Sequence, residues 1–250
     1  MRRITRECPR WVSSMKKFDL HIHSICSKHH IWGVDGIHTP EAIVENAIRL
    51  GLDGISITDH NSVKGSQRAI QYVNEKKLSL LVISGAEIRS LAGDILALGI
   101  LDDIKPKLSI SETIDRIKEQ GGIAIAAHPY KYNTKLGIKL LDAAVNSQFD
   151  AIEVFNSNVR KGANEKAMQL AEKLRMPGVA GSDAHCIENL GRGITCLDTE
   201  DLSVDAVFNA IKQNKIQLLC NYATLRSLFN LYSRKFANML KRVVNKGVKS

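Results

Sequence analysis

Five of the eight histidines in this 250-residue chain end short apolar runs, usually with a carboxylate close by. His21 and His23 stand in Asp19-Leu20-His21-Ile22-His23, His60 in Thr58-Asp59-His60, His128 in Ala127-His128-Pro129, and His185 in Ser182-Asp183-Ala184-His185. Glu87 closes Gly85-Ala86-Glu87, and Glu153 lies in Ile152-Glu153-Val154-Phe155-Asn156. Brought into one pocket, these groups would be costly, because buried like charges and unpaired polar atoms are both penalised. Divalent cations remove that penalty by taking neutral imidazoles and carboxylates as ligands. A nitrogen and oxygen donor set without cysteine suits Zn, Mn or Fe. There are more donors than one tetrahedral ion accepts, so two or three ions are implied.

The elements that must position these groups follow from periodicity. Apolar runs predict strands at 18–23, 54–60, 80–87, 94–100, 122–128, 151–156 and 178–185. Between them lie amphipathic stretches that predict helices. Thr39-Pro40-Glu41 supplies an N-cap and an N1 proline for a helix ending at Gly51. Ser109-Ile110-Ser111-Glu112 reads as a capping box for a helix that stops at Gly121-Gly122. Further helices fit 64–76, 137–147, 164–175 and 204–214. Strand–helix alternation of this kind predicts a parallel sheet, either a closed barrel or a doubly wound sheet. In either, functional residues collect at the C-terminal ends of strands, but only a closed barrel gathers all those ends about one axis. Side chains two apart on a strand share a face, so His21 and His23 converge, as do Asp183 and His185.

The ordered series D-L-H-I-H-S, I-T-D-H-N, G-A-E, A-H-P, I-E-V-F-N and G-S-D-A-H, from Phe18 to about Asp198, resembles the PHP (polymerase and histidinol phosphatase) superfamily of metal-dependent phosphoesterases. The resemblance implies an α/β fold, a distorted (β/α)7 TIM-like barrel with two or three metals at its mouth. It assigns His21, His23, Glu87 and Asp183 to one metal, Glu87 and His128 to a second, and His60 with His185 to a third. Two departures stand out. Many members carry S-D-G shortly after H-x-H, whereas here the run is Ser27-Lys28-His29-His30, which makes His29 the candidate ligand. Relatives often place a histidine in the strand after G-x-E, and here Asp94 is the nearest substitute, unless it is a turn residue.

The chemistry expected is hydrolysis of a phosphate ester. Paired ions activate a water as hydroxide and stabilise the attacking and leaving oxygens. Asp183, His185 and Glu87 are the expected catalytic set, together with Arg192, whose flanking Gly191 and Gly193 allow close approach to a phosphate. Arg160 and Lys28 are further substrate candidates. The substrate class is a phosphomonoester, a nucleotide or a 5′-phosphorylated nucleic-acid end. The alternative implied by the resemblance is a non-catalytic PHP barrel acting as an RNA-binding subunit of a ribonucleoprotein.

Composition sets the remaining bounds. Hydrophobic content of 44% with 24% charged residues is that of a globular chain with ample core. No apolar stretch reaches the roughly 18 residues of a membrane span. Five cysteines form no C-x-x-C pair, which points to a reduced, cytoplasmic setting. The net charge of +9 is concentrated at the ends. Six bases lie in 1–17, and after Asp205 there is no acid but nine bases. Accordingly 1–17 reads as a basic extension, with Met15 a candidate native start, 18–215 as the PHP barrel domain, and 216–250 as a basic helical tail. The basic ends suit contact with nucleic acid. Within the tail, Leu225, Leu228, Phe229, Tyr232, Phe236, Leu240 and Val243 fall at helical spacing and form the expected packing stripe, on the barrel or on a second subunit.

Overall fold

The computed structural model describes residues 15–27, 35–131, 135–146, 148–224, 227, 229–231 and 233–237. His29 and Lys28, and the stripe residues Leu225, Leu228, Tyr232, Leu240 and Val243, lie outside them, as does most of the N-terminal extension.

Ten strands are ordered in two five-stranded sheets. The first runs β10 (Ile216–Cys220), β9 (Gly193–Leu197), β1 (Lys16–Ile22), β2 (Gly54–Ile57), β3 (Leu81–Ile83). The second runs β4 (Gly85–Arg89), β5 (Asp94–Leu98), β6 (Ile123–Ala126), β7 (Ala151–Asn156), β8 (Gly178–Gly181). The expectation of one closed (β/α)7 barrel is therefore met only as a mixed α/β fold. Two isolated bridges, Ile22 to Ala184 and His60 to Glu87, are what join the sheets by strand pairing among the described residues.

The break has a local cause. The run expected as one strand over 80–87 divides at Ser84, whose carbonyl accepts from Gly99 N and whose hydroxyl donates to the Ile100 carbonyl, so the chain leaves one sheet and enters the other. The sheets are also not purely parallel. Residues 90–93 form a tight turn, Ser90 N donating to the Gly93 carbonyl at 3.0 Å. That turn reverses the chain, so β5 runs antiparallel to both β4 and β6. β9 and β10 are unforeseen as strands; β9 runs antiparallel to β1, and β10 antiparallel to β9. The sheet thus extends past the expected boundary at 215.

The helices follow their caps. α1 (Pro40–Arg49) begins where Thr39 Oγ1 accepts from Ala42 N. α2 spans Lys64–Lys76. α3 (Ile110–Glu119) carries the full reciprocal capping box between Ser109 and Glu112. The helix expected at 137–147 is divided into α4 (Leu136–Lys139) and α5 (Ala143–Asn146). α6 (Lys161–Leu174) and α7 (Val204–Lys212) complete the set. Ile43, Val44 and Ala47 of α1 pack on Ile22, Ile55 and Ile57 in one core, and a larger core gathers β4–β8 with α3 and α7. These two apolar layers hold the strand ends at fixed spacing, which is what the site requires.

Candidate metal centre

His21 and His23 end β1 on one face, and their Nε2 atoms lie 3.2 Å apart. Glu87, in β4, reaches this pair from the other sheet. Its Oε2 is 3.0 Å from His60 Nδ1, 3.3 Å from His23 Nε2 and 3.6 Å from His21 Nε2. Its Oε1 is 2.8 Å from His128 Nε2. Asp183 closes the far side, with Oδ1 3.2 Å from His23 Nε2, 3.5 Å from His21 Nε2 and 3.6 Å from His185 Nδ1. Every one of these groups except His60 and His185 is essentially shut off from solvent.

Backbone strain accompanies the arrangement. His128 has φ +27° and Asp183 φ +52°, a region that residues with a Cβ occupy at a cost of about 1–3 kcal/mol. Both lie just beyond the ends of β6 and β8, where the left-handed turn directs the side chain inward instead of along the sheet.

Charge balance describes the pocket. Burial opposes ionisation of Glu87, but His60 and His21 hold its carboxyl well below the usual range. Burial likewise opposes ionisation of Asp183, and Lys131 and His21 overcome it. In turn His60, which burial alone would lower, is pushed up to about 10 by Glu87 and Asp35. The carboxylates demand cations, and bound ions would supply that charge in place of protons on the imidazoles. The donor set fits divalent ions on a second count. His128 Nδ1 is buried without a hydrogen-bond partner among the described residues, and the close ion-pair contacts of His60 Nδ1 and Asp183 Oδ1 lack hydrogen-bond geometry.

Three residues have roles that the sequence alone did not indicate. Asp35 lies between His60 and His185, its Oδ2 2.7 Å from His185 Nε2 and 3.3 Å from His60 Nε2. In sequence it follows Ser27 across the seven residues 28–34. Its available signal was Asp35-Gly36 standing directly before the Thr39-Pro40 helix start. Gly36 is obligatory there, since a Cβ would lie 2.4 Å from the His23 carbonyl oxygen. Lys131, three residues after His128, places its ammonium 2.7 Å from Asp183 Oδ2. Lys235 donates to Asp35 Oδ1 at 3.0 Å.

Other expected residues are sorted by their contacts. Glu153 faces His21, its Oε1 2.9 Å from Nδ1, and its Oε2 accepts from His128 N at 2.8 Å. A partner on Nδ1 leaves His21 Nε2 free to act as a ligand. Asn156 Nδ2 donates to Glu153 and to Asp183, each at 3.2 Å. Asp94 shares a cluster of potential ligand atoms with Glu87 and His128, yet both its oxygens also accept from the Arg89 guanidinium, at 3.0 and 3.4 Å. Asp59, beside His60 in sequence, accepts from Ser24 N and Ser24 Oγ, both at 2.6 Å, and so braces the turn after β1. Arg192 is turned elsewhere: its guanidinium donates to the carbonyls of Glu188 and Tyr222. Arg160 is exposed at the start of α6. Neither lines the cavities above the cluster.

Those cavities, of about 620 and 430 Å³, share His60, Arg89, Lys131 and His185. Lys64 and Lys107 line the first, and Lys135 the second. The mouth is therefore a basic rim around an acidic and imidazole-rich floor.

A metal-liganding floor of this kind, set at the strand ends of a mixed α/β fold, agrees with what sequence and structure comparison find. The PHP domain model matches residues 19–136 and the PHP-associated model residues 161–216. An uncharacterised protein of Methanocaldococcus jannaschii is 38% identical over 151 residues, covering 58% of this chain and 85% of that protein. The chain belongs to the PHP family. Its fold is similar to that of a two-domain Bacteroides vulgatus protein containing a predicted PHP-like metal-dependent phosphoesterase, with TM-score 0.66 and 20% identity over 88% of this chain and 69% of that one. It is also similar to a lesion-specific endonuclease of Pyrococcus furiosus, with TM-score 0.59 and 18% identity over 82% of this chain and 57% of that one.

Proposed function

We propose that this chain is a metal-dependent phosphoesterase that hydrolyses a phosphomonoester, a nucleotide or a 5′-phosphorylated nucleic-acid end. The observation that carries this reading is the convergence of four imidazoles on Glu87, with Asp183 opposite. His21, His23, Glu87 and Asp183 would hold one ion, Glu87 and His128 a second, and His60, His185 and Asp35 a third. Zn, Mn and Fe all match these donors. When bound, such ions activate a water and stabilise the charge that develops on the phosphoryl oxygens.

The chain's own residues do the rest. Glu153 sets the ring orientation of His21, and Asn156 holds Asp183 and Glu153 in register. Lys131 and Arg89 line both cavities and are the cations placed to meet a phosphate, with Lys64, Lys107 and Lys135 around them. This assignment replaces Arg192 and Arg160 as phosphate anchors. The wide rim admits a leaving group larger than phosphate itself, consistent with nucleotides or nucleic-acid ends.

The test is turnover of p-nitrophenyl phosphate, mononucleotides and 5′-phosphorylated oligonucleotides with Mn, Zn and Fe supplied separately. His21→Ala and Asp183→Ala should reduce turnover to background while circular dichroism stays unchanged. Undiminished turnover in either variant would remove the ligand assignment. A protein that binds RNA tightly, takes up no metal and turns over nothing would favour the ribonucleoprotein-subunit reading instead.

A further inference from the structure

Residues 227–237, helical wherever described, turn an unexpected face to the protein. Phe229 and Phe236, two members of the apolar stripe, are 73% and 51% exposed. Among the described residues the buried positions are Ser227, Leu231 and Lys235, spaced four apart, or about one helical turn. Burying a lysine in preference to two phenylalanines requires a compensating partner, and Asp35 is that partner. The segment leading to this helix is tied to the loops around the site. Asn221 N donates to the Arg192 carbonyl at 2.7 Å, Ala223 N to the Ser157 carbonyl at 3.0 Å, and Arg234 pairs with Glu188 at 3.1 Å.

Lys235 differs from the other lysine of the cluster. The Lys131 side chain is 25% exposed and borders both cavities, so its ammonium can swing into solvent when an ion or a phosphate arrives. The Lys235 side chain is 6% exposed and borders neither cavity. It does not face a substrate, and it cannot withdraw unless the helix carrying it moves. It occupies Oδ1 of Asp35 while Oδ2 points at His60 and His185.

We propose that Lys235 is a resident cation of the Asp35 corner, placed there by the C-terminal helix, that makes this corner the weakest of the metal positions and lets the chain fill two ion positions before the third. Glu87 and Asp183 face imidazoles and a retractable lysine, whereas Asp35 faces a fixed positive charge that a divalent ion must tolerate. Repulsion between two buried cations sharing one carboxylate is poorly screened. The third ion is then loosely held and exchangeable, and Lys235 acts on it only through Asp35, as a positioning residue.

This inference rests on the metal-centre reading above, and its test separates the two. Mn²⁺ binding is measured by calorimetric titration and elemental analysis of the full chain, the Lys235→Met variant and the Lys235→Gln variant. The first variant removes charge and hydrogen bond together; the second keeps a donor and removes the charge. Both should bind the weakest ion at least about tenfold more tightly than the parent, the direction set by loss of a buried repulsive charge. The two tighter sites should be little changed. Equal or weaker binding of that ion in both variants would overturn the role of Lys235, as would a change in the Met variant alone. No ion bound by any of the three proteins would overturn the metal centre and this inference with it.

Discussion

Glu153 shows how a residue beside the cluster can control one within it. Its carboxylate touches His21 Nδ1, so the ring presents Nε2 to the centre. Glu153→Gln should cost about 10- to 100-fold in metal affinity or turnover, the usual cost of losing a partner that orients a ligand. Metal titration checks this, and an unchanged affinity would make Glu153 a packing residue. Arg192 gives the opposite expectation. Its hydrogen bonds run to two backbone carbonyls, so Arg192→Ala should cost about 1 kcal/mol of stability and leave KM within about twofold. A several-fold rise in KM would return it to the substrate site. Residue types and spacing made His21, His23, His60, His128, His185, Glu87 and Asp183 legible as one chemical set. Asp35 was not legible, because seven intervening residues break its register with Ser27. Lys131 and Lys235 were not either, since a lysine carries no spacing signature and only its contacts give it a role.

Among the elements, β8 lies tight against β1 where the site is built. A Cβ on Gly181 would lie 2.5 Å from both Glu153 Oε1 and His21 Cβ. Gly181→Ala should therefore destabilise the fold by about 1–3 kcal/mol and weaken metal binding through the same two residues. Urea denaturation with a parallel metal titration measures both, and a stable variant of unaltered affinity would show that the strands have room to part. Capped helices were legible to within a few residues, because a cap is a local exchange of hydrogen bonds. The direction of β5 was not, since the turn 90–93 and a crossover helix look alike to a period-two pattern. The exposure of Phe229 and Phe236 and the burial of Lys235 were not legible for a related reason. Hydropathy ranks phenylalanine above lysine, and only the carboxylate at Asp35 reverses the order.

Taken whole, the molecule is two sheets whose strand ends carry buried carboxylates and imidazoles into one basin. Such a basin is stabilised by whatever cation fills it. At free ion about 100 times above the dissociation constant, each bound ion should add about 2.7 kcal/mol. For a chain of this size that corresponds to a rise in Tm of about 5–10 °C. A chelator should reverse the gain, and scanning calorimetry with and without Mn²⁺ or Zn²⁺ measures it. A Tm indifferent to both would show that protons and lysines already satisfy the carboxylates.

The sequence by itself named the imidazoles and carboxylates that the strand ends bring together, the capped helix starts and the resemblance to the PHP family, because each depends on neighbours a few positions apart. The tertiary structure alone decided that the strands divide into two mixed sheets, that Asp35 completes the corner of His60 and His185, and that Lys235 reaches it from two hundred positions away. These are meetings between distant segments, and which segments meet is set by how the cores pack, a property of the whole chain in three dimensions.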